Sequence, residues 1–132
     1  MADNLSNFLE NELLDHAFGK GAYTMPTTVA AALFTDATTD AGGGTEVTGG
    51  SYARVAIAAA SFNVAAAGSI TTNADITFPT ASANWGTVTH IAVFDNTTGG
   101  NMLWHGILTA SKTVDNGDVF KITAGNLTGT LS

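Results

Sequence analysis

Cysteine is absent from the 132-residue chain, and basic side chains are nearly so: four Lys+Arg stand against eleven Asp+Glu, a formal charge of −7. Without cysteine there are no disulfides, thiolate metal sites, cysteine nucleophiles or iron–sulfur clusters. Four basic residues cannot form the positive stripe that phosphate backbones require, so nucleic acid is excluded as a partner. An anionic membrane surface is disfavoured for the same reason. Long apolar runs are also missing. The stretch Val55–Ile70 is interrupted by Ser61, Asn63, Gly68 and Ser69, short of the roughly 20 apolar residues a span needs. The first twenty residues carry Asp3, Glu10, Glu12 and Asp15, which is not a secretory pattern. A soluble chain made in a cytoplasm is expected.

What is present is hydrophobic and small. Hydrophobic residues make up 45% of the chain and charged ones only 11%, which argues for a packed domain rather than disorder. The length suits a single domain with its own core. Two textures divide it. Residues 1–20 read as one amphipathic helix over about 4–18: Leu5, Phe8, Leu9, Leu13 and Ala17 recur at helical spacing. Asp3 or Asn4 is expected to cap its start, and Gly19 or Gly21 to close it.

Residues 21–132 read as an all-β unit, with short apolar runs between Gly, Asn, Asp and Thr clusters. Strands are expected near Val29–Phe34, Glu46–Thr48, Ala53–Ala59, Gly68–Thr71 and Asp75–Phe78. Others fall near Val88–Asp95, Asn101–Thr109, Val119–Thr123 and Leu127–Leu131. Asp95–Asn101 is expected to be a hairpin loop. In the hairpin, Val88, His90, Ala92 and Phe94 should share one face, and Thr89, Ile91 and Val93 the other. Met102, Trp104 and Gly106 should oppose Leu103, His105 and Ile107 in the same way. Both faces are apolar, so the N-terminal helix or a neighbouring subunit should cover the hairpin. Seven to nine such strands form a β-sandwich or jelly roll.

No constellation carries specific chemistry. Gly44–Ser51 matches P-loop spacing, but Gly50 stands where the lysine is essential. His90 and His105 lie on adjacent strands without a third ligand at motif spacing, and His16 falls on the solvent side of the helix. Asp115–Asp118 resembles a calcium loop but lacks its alternating oxygen ligands, and reads better as an Asx turn. No serine occupies a G-x-S-x-G elbow. The chain therefore reads as a non-enzyme with no cofactor and no metal. Its candidate contact residues are the helix stripe Leu5, Phe8, Leu9 and Leu13, together with Arg54 and Trp85. Each has an internal alternative. The stripe can cap its own sandwich, Arg54 can pair with a carboxylate, and Trp85 can fill the core.

The segments LLDHAF, AALFT, GGGTEVTGGSYARVAI, ITFPTASANWGTVTHIAVFD and TTGGNMLWHGILTASKTVDNGD follow in order. From about Leu5 to the C-terminus they resemble a family of small tailed-bacteriophage virion proteins. Members carry the label tail fibre protein, and some are capsid cement or decoration proteins. The resemblance implies a β-sandwich or jelly-roll subunit on the outer surface of a capsid, and no catalytic residues. It leads to a capsid cement protein of the virion, with the major capsid protein and further copies of itself (a dimer or trimer) as partners. The alternative is a tail component, a fibre or baseplate adaptor.

Overall fold

The structure is a computed structural model that describes residues 3–131. Its centre is a five-stranded antiparallel sheet in the order β1-β7-β6-β2-β3. These strands are β1 (Asp3–Leu5), β2 (Val29–Phe34), β3 (Val55–Ile57), β6 (Gly86–Phe94) and β7 (Met102–Val114). Two short ribbons complete the β-structure: β4 (Ser69–Thr71) with β9 (Thr128–Thr130), and β5 (Ile76–Thr77) with β8 (Lys121–Ile122). Together they form an all-β, sandwich-like fold with one N-terminal helix, α1 (Asn7–Ala17).

The main core lies between the sheet and the ribbons. Leu33, Val88, Ile91, Val93 and Leu103 from the sheet meet Ile76, Phe78, Phe120, Ile122 and Leu127 from the second layer. A smaller cluster of Ala32, Phe34, Ala92, Phe94 and Met102 occupies the opposite face. The chain's own loop, residues 35–45, covers part of that face. Thr38 is buried there and hydrogen-bonds His105 Nδ1 at 2.7 Å. A Cβ on Gly44 would lie 3.0 Å from the Phe34 ring, which shows how closely the loop is laid down. The chain thus covers the hairpin between Val88–Phe94 and Met102–Gly106 for the most part, whereas Ile107 and residues 109–113 are exposed.

The N-terminal segment differs from one continuous helix. Residues 3–5 form the edge strand β1, paired in register Asp3↔Gly106 and Leu5↔Trp104. Asp, Asn and Ser favour caps over helix interiors, so this stretch gains more from strand bonds than from an extra helical turn. The cap is Ser6, not Asp3 or Asn4. Its hydroxyl accepts from Leu9 N at 3.2 Å and donates to the Met102 carbonyl, while its own N–H reaches Leu103 O at 2.9 Å. Gly19, at φ +77°, lies just past the C-terminal end of α1 and supplies the left-handed turn there.

Three other expectations are corrected. Glu46–Thr48 forms a single bridge, Phe34↔Glu46, because β3 already takes the first half of the same edge of β2. The strand near Ala53–Ala59 shortens to Val55–Ile57 and passes into a 3₁₀ turn at Ala59–Ser61, where the run of alanines and serine has little strand preference. The face parity of the hairpin also breaks twice. Leu103 is an extra residue between the pairs Phe94↔Met102 and Val93↔Trp104. Leu103 and Trp104 therefore both turn to the main core, while Met102 and His105 lie on the side of Ala92 and Phe94, so Trp104 parts from Met102 and His105 from Leu103. Between Val88↔Lys112 and His90↔Ile107, β7 carries a longer irregularity, and Val88 turns to the core side with Ile91 and Val93.

Ser6→Ala removes the helix cap and leaves the Met102 carbonyl without its donor. A loss of about 1–2 kcal/mol is expected in urea unfolding. An unchanged midpoint would show that the cap does not join α1 to the sheet.

Candidate interaction surface

Arg54 and Glu46 form the main polar site of the described residues. Nε and Nη2 of Arg54 each donate to one Glu46 oxygen at 2.8 Å. Nη1 donates to the carbonyls of Asn96 at 3.1 Å and Gly99 at 2.8 Å, holding the hairpin loop between β6 and β7. The guanidinium carbon lies 3.8 Å from the centre of the Phe94 ring. Tyr52 donates its hydroxyl proton to Glu46 at 2.7 Å and accepts from Leu33 N at 3.0 Å. Leu33 O is met by Val47 N at 3.0 Å. A side chain and one bridge therefore finish the β2 edge where β3 stops.

The site perturbs its own titrations. Burial alone would raise the Glu46 carboxyl, but hydrogen bonds from Arg54 and Tyr52 and the guanidinium charge outweigh it and hold the group low. The hydrogen bond to Glu46 raises Arg54 against the opposing effect of its burial. Burial pushes the Tyr52 hydroxyl far above the ordinary tyrosine range.

Most of the expected contact residues serve the chain itself. Leu9 is buried in the main core, and Leu5, Phe8 and Leu13 are partly buried against it. Trp85 is buried, donates Nε1–H to Gly50 O at 2.9 Å and meets Tyr52 edge-on at 5.4 Å between ring centres. Gly50 has to be glycine: φ is +55°, and a Cβ would stand 2.9 Å from Trp85 Nε1. The P-loop-like stretch is thus a turn moulded on a tryptophan. Arg54 takes the internal role.

The histidines and the Asp115–Asp118 turn also make contacts within the chain. His105 stands opposite Ala92 and His90 opposite Ile107, so the two are not cross-strand partners. His105 instead bridges Thr38 and Asp40, with Nε2 at 2.8 Å from the Asp40 carboxylate. Thr–His–Asp geometry of this kind needs a reachable hydroxyl for nucleophilic work. Thr38 is buried beneath its loop, and the three residues pin residues 35–45 to the sheet. The Asp118 carboxylate accepts from Asp115 N at 2.9 Å, an interaction internal to its turn. Among the described residues, no group of three His, Cys, Asp or Glu could hold a metal ion.

An outward-facing groove lies beside α1. It has a volume of about 900 Å³ and an apolar floor of Leu5, Leu13, Leu14, Ala17 and Leu131. Leu14 is 57% exposed and Leu131 56%. Among the described residues Glu10, His16 and Asp40 supply its ionisable groups, and no lysine or arginine lines it. The helical spacing identified Leu5 and Leu13 but not Leu14, which lies off the buried stripe. Leu131 reaches the groove because its N–H bonds Gly68 O at 2.7 Å, fixing the C-terminal strand next to α1.

Glu46→Gln tests the polar site. Because the folded carboxyl titrates below its unfolded value of about 4.3, its stabilising contribution is complete above that value. It is lost as pH falls through the lower folded value. The variant should lose about 1–3 kcal/mol at neutral pH and show a shallower acid decline in chemical denaturation. An acid limb as steep as the parent's would place the titration elsewhere.

Curated proteins give no match to the chain. Residues 4–130 match the family model described as Podophage GP4 fiber I protein gp80. That match spans β1, α1 and every later strand, and it agrees with the resemblance to small tailed-phage virion proteins. The chain belongs to the podophage fiber I protein gp80 family.

Proposed function

We propose that the chain is a non-enzymatic structural protein on the outside of a tailed-phage head, a cement or decoration subunit bound to the major capsid protein. The observation that carries this reading is one self-contained domain whose polar networks are turned inward while its main open groove is apolar. Arg54, Glu46, Tyr52, Trp85 and His105 each hold a loop or an edge. Such a domain adds stability to a shell by mass action: a protein that binds the assembled state alone shifts assembly toward it. Symmetry-related sites on a shell would receive identical copies, either singly or as a dimer or trimer.

A second reading places the chain in the tail, as part of a fibre or adaptor. The observation favouring it is the family's own description, which names a fibre protein. The chain has no internal sequence repeat of the kind that builds an extended shaft. It would therefore be a compact module of such an assembly.

Separating purified particles into heads and tails and measuring the chain by quantitative mass spectrometry decides between the positions. The head position predicts recovery with the heads in hundreds of copies. Recovery with the tails in a handful of copies would overturn it in favour of the fibre reading.

A further inference from the structure

We infer that the groove beside α1 receives an amphipathic segment of a different virion protein, one carrying lysine or arginine among apolar residues, rather than a second copy of this chain. The inference rests on the reading of the chain as a virion structural protein and names the chemistry of its partner. Three observations carry it.

The first is the floor. Leu14 and Leu131 are both more than half exposed, and they extend the partly buried Leu5 and Leu13 into one apolar surface. Exposed leucines grouped in a concavity, rather than scattered singly, mark a binding surface.

The second is the sign of the charge. Glu10 and Asp40 line the groove, and among the described residues no cation does. Asp40 has a hydrogen-bond partner in His105 but keeps about half its side chain exposed, so it can accept a further donor. A basic residue entering with its apolar neighbours would therefore meet two carboxylates at the edge of a low-dielectric floor, where an ion pair gains more than in open water.

The third is what that sign excludes. If the same face of a second copy were docked here, it would place Glu10 and Asp40 against Glu10 and Asp40, between two chains that each carry a net −7. Like charges brought together in an interface cost several kcal/mol unless another group intervenes. Among the described residues the one other ionisable group lining the groove is His16, and its Nδ1 already accepts from Tyr23 N at 3.1 Å.

The test is rebinding of purified chain to particles assembled without it, measured at about 50 and 500 mM NaCl, with sedimentation velocity of the free chain alongside. Leu14→Asp should weaken rebinding by about 30-fold or more, as loss of an interface anchor does. Glu10→Lys should weaken it by about tenfold at low salt and remove part of the salt dependence. Val64→Asp, at a side chain 93% exposed outside the groove, should rebind like the parent. Circular dichroism and melting confirm that each variant is folded.

Rebinding by the parent and by both groove variants alike would overturn the inference and leave the virion role intact. Self-association of the free chain that Leu14→Asp abolishes would overturn it in favour of a second copy. Failure of the parent to bind any particle would instead overturn the virion role on which it rests.

Discussion

The bidentate pair between Arg54 and Glu46 is the constraint on which most of the outer architecture rests. A sheet edge that ends halfway along a strand leaves backbone groups that must find partners. Here β3 covers the first half of β2, and the second half is closed by Glu46, Val47 and the Tyr52 hydroxyl. Glu46 can hold its place because Arg54 matches both its oxygens, and Tyr52 can hold its place because Glu46 accepts its hydrogen bond. The same guanidinium reaches the loop carbonyls of Asn96 and Gly99 and lies over Phe94. One side chain thus ties an edge, a hairpin loop and an aromatic cluster together. Lysine could not replace it, since a point charge lacks the fork and the planar face.

The scarcity of charge elsewhere follows from the same economy. Once loops and turns fix the ends of strands, small residues can fill the middle. Ala30, Ala31, Ala32 and Ala92 are fully or almost fully buried in the adjacent strands β2 and β6. Small side chains let loop 35–45 lie close to the sheet. Among the described residues seven large apolar side chains are still exposed, and two of them, Leu14 and Leu131, converge on one groove.

Much of this order is written in the sequence, and its gaps have physical causes. The β-class, the helix, the hairpin loop at Asp95–Asn101 and strand β2 were legible because alternation, helical spacing and turn residues are local signals. The Leu103 bulge was not, since a one-residue slip leaves the apolar pattern looking regular while reversing which side chains face inward. Ser6 is not distinguishable as the cap in the sequence because Asp3 and Asn4 are equally good capping residues, and the choice is made by pairing with β7, about a hundred positions away. The internal roles of Arg54 and Trp85 were visible as alternatives, but their partners Glu46 and Gly50 are defined only once the turn is formed. Leu14 and Leu131 show the same limit: neither belongs to a periodic stripe, and the groove exists only where the two ends of the chain meet.

The proposed position of the chain on the outside of a phage head, seated by the groove beside α1, is best tested by averaged electron microscopy of intact virions. The account predicts ordered copies of this domain over the head, with Leu14 and Leu131 facing a basic, apolar segment of a neighbouring virion protein. Copies confined to the tail would contradict the position, and a groove open to solvent in the assembled particle would contradict the mode of attachment.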